Sequence, residues 1–187
     1  MDEERLDPEP AVKRPLLVLD LDETLISAGL EHRGLDGEMA FDEYFVTPRP
    51  GLEAFIARVR ECWRVGVWTA STGAYAAPIV EHFVGEPLEF LWDRKRCTLR
   101  SDLDLREWVY LKDIKKLIRA GYAKERILYV DDTPAKVARS YGNYVHIRPF
   151  KGDPNDVELD HLAPYLESLA NERNFRTIEK RGWRRRI

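Results

Sequence analysis

The stretch LLVLDLDETL, residues 16–25, contains the pattern from which the fold can be predicted. Its first four residues form a continuous apolar run, which is typical of a strand buried on both faces of a parallel sheet. The run ends at Asp20, and Asp22 follows two residues later. In extended or gently turning backbone, residues two apart point to the same side of the chain. The stretch therefore predicts a core strand whose carboxyl end presents two carboxylates to one ligand.

Two other apolar strands also end in polar residues. Residues 65–68, VGVW, lead into the tripeptide TAS at 69–71, and the run at 126–130 ends in the acidic pair at 131–132. Ligands of an open parallel sheet bind outside the carboxyl ends of its strands. We therefore expect the three polar clusters to meet in one crevice.

The remaining pattern alternates strands with helices. Apolar residues at helical spacing predict helices over about 52–59, 73–84, 111–118 and 157–169. Between them, the sequence predicts a loop or small hairpin at 27–45, two short strands around a charged turn at 88–99, and a short strand at 144–147. The order strand, turn, helix favours an α/β fold, with a central parallel sheet flanked by helices. Only small β-hairpin insertions are expected, and no large cap domain.

The chain divides into three predicted parts. Residues 1–14 are charged, contain two prolines and have no apolar period, so they are predicted to be a flexible lead-in. Residues 15–172 hold the single predicted domain. Residues 173–187 end in a basic run with one tryptophan, which is expected to be solvated. Contact of this tail with nucleic acid, acidic protein or an anionic membrane is the alternative.

Composition restricts the class of protein. The 187 residues carry a net charge of −3, which argues against a dedicated nucleic-acid binder. No stretch approaches the roughly 20 apolar residues needed to span a bilayer, and the acidic start does not resemble an export signal. The two cysteines, Cys62 and Cys97, are too few for a disulfide framework. These features predict a cytoplasmic protein, or a nuclear one if the source is eukaryotic, without a membrane partner.

Clustered acids predict a metal. Asp20, Asp22, Asp131 and Asp132 would place three or four negative charges within a few ångströms of one another. Such a cluster is unfavourable unless a hard cation neutralises it, which favours Mg²⁺. Asp-x-Asp alone is also common in turns, so the inference depends on the conjunction with the second acidic pair.

These motifs resemble those of the haloacid dehalogenase superfamily. Residues 20–25 are similar to its first motif, Thr69 to the second, Lys112 to the third, and Asp131 and Asp132 to the fourth. Within the superfamily, the chain resembles phosphatases of the RNA polymerase II C-terminal-domain type, also called the NLI-interacting-factor family. The narrower resemblance rests on RPG at 49–51, WTAS at 68–71 followed by Tyr75 and Pro78, YLKD at 110–113 and YVDDTP at 129–134. It runs from Pro15 to about Leu169 and implies a three-layer, Rossmann-like fold.

The resemblance also implies a mechanism. Asp20 would attack phosphorus and form an aspartyl-phosphate, while Asp22 would protonate the leaving group and later accept a proton from water. Thr69 and Lys112 would stabilise the transferring phosphoryl group. The implied Mg²⁺ ligands are Asp20, Asp132 and the backbone carbonyl of Asp22, with Asp131 supporting or sharing that duty.

Substrate recognition is implied less directly. Thr24, Ala70 and Ser71 lie in the first two motifs, Tyr75 matches a position that lines the family's peptide groove, and Arg94 lies in a basic turn with Lys95 and Arg96. The expected substrate is phosphoserine or phosphothreonine of a protein, because no cap closes the site. A small-metabolite or nucleotide phosphatase and a non-catalytic binding module are the alternatives. No specific nucleic acid is expected, and the oligomeric state stays open.

Overall fold

Strand β1, Leu16–Leu19, lies at the centre of a five-stranded parallel sheet in the computed structural model, which describes residues 13–102 and 107–186. The other strands are β2 (Ile26–Gly29), β3 (Met39–Phe41), β4 (Tyr44–Pro48), β5 (Arg64–Trp68), β6 (Leu91–Trp92), β7 (Thr98–Asp102), β8 (Glu107–Leu111), β9 (Ile127–Asp131) and β10 (Tyr144–His146). The helices are α1 (Leu52–Cys62), α2 (Gly73–Phe83), α3 (Lys115–Arg119) and α4 (Glu158–Leu169). No helix within the described ranges combines the length and apolar character that a bilayer crossing needs.

The central sheet separates two apolar layers, so the predicted α/β fold is confirmed. Its strand order is β10-β9-β1-β5-β6. Leu17 and Leu19 of β1 point into a core shared with α1, α2 and α4, whereas Leu16 and Val18 point into a core shared with α3. Because side chains alternate across a strand, the unbroken apolar run of β1 supplies both cores at once.

The register of the sheet brings three strand ends to one edge. Leu19 of β1 lies opposite Val67 of β5 and Val130 of β9. The backbone N–H of Asp20 donates to the Val130 carbonyl at 3.0 Å, which extends the β1 to β9 pairing by one residue. The residues that follow these strands therefore lie side by side, as the sequence predicted.

Small insertions surround this edge. Strands β2, β4 and β3 form an antiparallel three-stranded sheet after the first motif, in the region predicted to be a loop or hairpin. Strands β7 and β8 pair in an antiparallel two-stranded sheet, and residues 103–106 between them lie outside the described residues. The expectation of small hairpin insertions is confirmed, and the two short strands predicted around a charged turn at 88–99 are present as β6 and the start of β7.

These two strands do not pair with each other, because β6 belongs to the central sheet and β7 pairs with β8. Its residue Trp92 packs edge-on against Trp68 of β5 at 4.9 Å, and β6 pairs with β5 in parallel. The Asp93 carboxylate then accepts a hydrogen bond from the Lys95 N–H at 3.0 Å and starts a 3-10 turn at 94–96. That turn separates β6 from β7, the strand that follows.

The third predicted helix is shorter than the sequence indicated. Leu111 ends strand β8, and α3 begins only at Lys115. Asp113 ends the extended segment, because its side chain accepts the Lys115 N–H at 3.0 Å. The prediction counted Leu111 as helical because its spacing to Ile114 and Leu117 also fits a helix.

The segment after α4 packs against the domain. Trp183 is 1% exposed and stacks on Tyr165 of α4 with a ring separation of 5.4 Å. Its indole N–H donates to the His146 carbonyl at 2.8 Å, and Phe175 is fully buried. The expectation of a solvated tail is wrong for these aromatic residues, because each finds an apolar surface next to α4 or α1. The predicted lead-in, apart from residues 13 and 14, and Ile187 lie outside the described residues.

We expect Trp183→Ala to lower the free energy of unfolding by about 3–5 kcal/mol, the range for truncating a buried large aromatic side chain. Trp108, which is 69% exposed on β8, supplies the matched control. Trp108→Ala should change stability by no more than about 0.5 kcal/mol. Urea unfolding monitored by circular dichroism measures both values. Equal, small losses in the two variants would contradict the packing of this segment.

Candidate active site

The Asp20 carboxylate is buried between two lysines at the end of β1. Lys112 Nζ lies 2.7 Å from Oδ1, and Lys136 Nζ lies 3.0 Å from Oδ2. The Leu21 N–H also donates to Oδ1 at 2.8 Å. Burial alone would raise the pKa of Asp20, but the ammonium groups of Lys112 and Lys136 lower it below its ordinary value. Asp20 is therefore an ionised carboxylate although its side chain is only 1% exposed.

Asp131 and Asp132, at the end of β9, lie beside Asp20. Lys112 Nζ reaches Asp131 Oδ2 at 2.6 Å and so bridges Asp20 and Asp131. Burial and the charge of Asp20 raise the pKa of Asp131 to about 7, against the lowering effect of the two lysines. Asp132 Oδ2 accepts the Thr133 hydroxyl at 3.0 Å.

These three aspartates, which we call the acidic cluster, fit a divalent cation. One oxygen from each of Asp20, Asp131 and Asp132 lies within 4.8 Å of the other two. Asp132 Oδ1 is buried and has no hydrogen-bond partner among residues 13–102 and 107–186. Its nearest positive charge is Lys136 Nζ at 3.6 Å, beyond hydrogen-bond distance, and a hard cation that takes carboxylate oxygens would satisfy it.

The Asp22 carboxylate points away from the acidic cluster. Its Oδ2 accepts hydrogen bonds from Ser71 Oγ at 2.7 Å and Thr69 Oγ1 at 3.3 Å, and its Oδ1 accepts one from the Tyr75 hydroxyl at 2.8 Å. Burial and the charge of Asp22 raise the pKa of Tyr75, which keeps the phenol neutral and donating. We call these four residues the Asp22 cluster. The two acids of the first motif thus occupy different surroundings.

The loop at 69–71 connects β5 to α2 and faces the same edge. Thr69 is fully buried, and its hydroxyl oxygen accepts the Ser71 N–H at 3.0 Å. The Ala70 carbonyl accepts Arg94 Nε at 2.6 Å, and the Arg94 guanidinium stacks over the Tyr110 ring at 4.9 Å. Of the predicted substrate residues, Ser71 and Tyr75 therefore contact Asp22, whereas Ala70 and Arg94 contact each other beside them.

Thr24 lies beneath the site. It is fully buried, and its hydroxyl has no hydrogen-bond partner within the described part of the chain. Its carbonyl accepts Arg49 Nη1 at 3.0 Å, and Arg49 also pairs with Asp156 at 2.8 Å. The structure thus joins Thr24 to a buried ion pair rather than to the other predicted substrate residues.

Sequence reasoning missed Lys136, which contacts two members of the acidic cluster. In addition to its contact with Asp20, Lys136 Nζ lies 3.6 Å from Asp132 Oδ1. Burial alone would lower the pKa of Lys136, but the charges of Asp20, Asp131 and Asp132 raise it. The spacing of four residues from Asp132 was the available signal, since such a pair is adjacent on a turn of helix.

Comparisons with known proteins identify relatives of this chain. Nuclear envelope morphology protein 1 of Saccharomyces cerevisiae is 27% identical over 191 residues, which cover 89% of this chain and 41% of that protein. CTD small phosphatase-like protein 2 of Dictyostelium discoideum is 31% identical over 168 residues, which cover 86% of this chain and 28% of that protein. The human carboxy-terminal domain RNA polymerase II polypeptide A small phosphatase 1 is 27% identical over 164 residues, which cover 82% of this chain and 59% of that protein. The chain thus spans less than two thirds of the length of each of these relatives.

A solved structure and a family model complete the comparison. The structure of Fcp1, an essential RNA polymerase II CTD phosphatase, superposes with a TM-score of 0.55 at 19% identity, over 87% of this chain and 52% of that chain, which indicates a shared fold. The model of the family described as NLI interacting factor-like phosphatase matches residues 15–176. Because this match spans most of the 187 residues, the chain belongs to the NLI interacting factor-like phosphatase family.

Proposed function

We propose that this protein hydrolyses phosphate monoesters through a phospho-enzyme formed on Asp20. The observation that carries the proposal is the buried Asp20 carboxylate between Lys112 and Lys136, two residues from a second acid in hydroxyl surroundings. A lowered pKa keeps Asp20 ionised, as a nucleophile requires. Membership of a phosphatase family supports the same reaction.

The other residues of the site divide the remaining work. Lys112 offsets the charge that develops on the phosphoryl oxygens, and the Thr69 hydroxyl, which makes the longer bond to Asp22 at 3.3 Å, turns to donate to them. Asp22 gives a proton to the departing alkoxide and then takes one from the attacking water. Ser71 and Tyr75 keep their hydrogen bonds to the carboxylate and hold it in one orientation through both steps.

Mg²⁺ is part of the proposal. Asp20 and Asp132 would hold it, together with the backbone carbonyl of Asp22, and Asp131 would support them. When bound, the cation supplies positive charge to the transferring phosphoryl group. Support comes from the spacing of the acidic cluster and from the Asp132 oxygen described above.

Phosphoserine or phosphothreonine of a protein is the proposed substrate. Phe41 and Tyr44 of the three-stranded insertion pack against Tyr75 at ring separations of 5.8 and 6.4 Å, so an aromatic surface lies beside the Asp22 cluster. Tyr44 is 36% exposed and available to a peptide. Two relatives are named as a CTD small phosphatase-like protein and as a small phosphatase of the RNA polymerase II carboxy-terminal domain, and these names support a protein substrate. The two free thiols, Cys62 and Cys97, suit a reducing compartment such as the cytoplasm or the nucleus.

A substrate panel with added or chelated metal tests the proposal. We expect kcat/KM for phosphoserine and phosphothreonine peptides to exceed that for sugar phosphates and nucleotides by about tenfold or more, because only a peptide reaches the aromatic surface. Chelation with EDTA should abolish turnover, and excess Mg²⁺ should restore it. A preference for metabolites would favour the small-molecule alternative. Absence of turnover on every ester, with Mg²⁺ present, would favour a binding module.

A further inference from the structure

Lys136 occupies a position between two carboxylates of the proposed metal site. Its Nζ lies 3.0 Å from Asp20 Oδ2 and 3.6 Å from Asp132 Oδ1, and its side chain is 20% exposed. The other oxygen of Asp20, Oδ1, already accepts Lys112 Nζ and the Leu21 N–H. Asp20 Oδ2 is therefore the oxygen that remains for a metal, and it is the one that Lys136 contacts.

The backbone keeps Lys136 beside these oxygens. Lys136 lies in the 3-10 turn Pro134–Val137, which follows directly after the acidic pair and Thr133. Its N–H donates to the Thr133 carbonyl at 3.0 Å, and its carbonyl accepts the Lys112 N–H at 2.7 Å. With the backbone held at both groups, the ammonium can leave the carboxylates only by rotation of its own side chain.

Two cations cannot share these oxygens without strong repulsion. Mg²⁺ binds carboxylate oxygens at about 2.0–2.1 Å. An ion held by Asp20 Oδ2 and Asp132 Oδ1 would therefore lie within a few ångströms of the Lys136 ammonium in its present position. Like charges at this distance in a buried site repel much more than they do in water.

We infer that Lys136 competes with the divalent cation for Asp20 and Asp132, so that metal binding requires the Lys136 ammonium to turn away from them. The inference rests on the proposed function, which places the metal at the acidic cluster. Lys136 thereby weakens metal affinity and stabilises the carboxylates when metal is scarce. Its role is to compete for the metal's ligands rather than to act in catalysis.

Lys136→Met tests this inference, because methionine removes the charge and keeps an unbranched stem. We expect the Kd for Mg²⁺, measured by isothermal titration calorimetry on the full chain, to fall by about tenfold or more. Mn²⁺ titrations should change in the same direction. Lys115→Met, on the exposed face of α3, loses the same charge away from the acidic cluster and should leave both affinities unchanged.

Thermal unfolding gives a second readout that does not depend on activity. In EDTA the Tm of Lys136→Met should fall below that of the wild-type protein, because Asp20 loses one of its two counter-ions. Saturating Mg²⁺ should raise the Tm of the variant by more than it raises that of the wild type, since tighter binding to the folded state gives more stabilisation. Lys136→Gln repeats the test if the methionine variant does not fold.

Three outcomes would overturn the inference. Unchanged Mg²⁺ affinity in a folded Lys136 variant would show that the lysine and the metal do not compete. Weaker affinity in the variant would show that Lys136 helps to arrange the metal ligands. Absence of Mg²⁺ and Mn²⁺ binding by the wild-type protein would overturn both this inference and the metal-dependent part of the proposed function, whereas the first two outcomes leave the proposed function intact.

Discussion

Asp20→Asn is expected to lower kcat/KM for para-nitrophenyl phosphate by about 10³-fold or more in the presence of Mg²⁺. The amide has nearly the shape of the carboxylate but is too weak a nucleophile to attack phosphorus. It also withdraws the negative charge that faces Lys112 and Lys136. Steady-state kinetics of the purified variant and wild type give the comparison.

Structural controls separate loss of chemistry from loss of fold. Asp36→Asn makes the same substitution on an exposed loop residue and should keep the wild-type rate. Circular dichroism of Asp20→Asn should retain the wild-type spectrum, although its Tm can fall because two buried lysines lose part of their counter-charge. A folded Asp20→Asn protein that keeps more than about one tenth of wild-type activity would exclude Asp20 as the nucleophile.

Asp22→Asn is expected to slow phosphoserine-peptide turnover by about 10²–10⁴-fold, the range for removal of a general acid or base. The effect on the first chemical step should depend on the leaving group. A serine alkoxide needs a proton as it departs, whereas para-nitrophenolate leaves readily without one. In rapid-mixing experiments, the first turnover of para-nitrophenyl phosphate should therefore stay near the wild-type rate, followed by slow steady-state release.

The slow steady-state turnover of Asp22→Asn has a separate cause from any slowing of the first turnover. Hydrolysis of the phospho-enzyme needs a base for water, and the variant lacks it whichever ester is used. Equal slowing of the first turnover for both esters would contradict proton transfer by Asp22. It would instead indicate that Asp22 positions Ser71 and Tyr75 around the phosphate.

The central strands could be predicted because each carries its own signal. The apolar runs of β1, β5 and β9 are unbroken, since both faces of a parallel strand are buried. The pairing of β6 and the end of β8 could not be predicted, for the opposite reason. Strand β6 has two residues, too few to show a period, and Leu111 fits a helical spacing as well as a strand.

The C-terminal segment shows a different limit of local patterns. Trp183 stands among arginines in the sequence, and its neighbours indicate solvent exposure. Its burial depends on Tyr165 of α4, which lies 18 residues earlier in the numbering, and on the His146 carbonyl. The sequence pattern around Trp183 shows neither contact, because both are tertiary.

The sequence by itself determined the chemistry that meets at the sheet edge, because parallel strands in register bring the residues after their carboxyl ends together wherever those residues lie in the chain. Asp20, Asp22, Thr69 and the pair Asp131 and Asp132 follow from this rule. Only the tertiary structure decided which partners each acid has: lysines for Asp20, hydroxyls for Asp22. Such contacts depend on side-chain direction and on how each loop turns, and a change of a few ångströms separates a buried carboxylate's counter-ion from a solvated lysine.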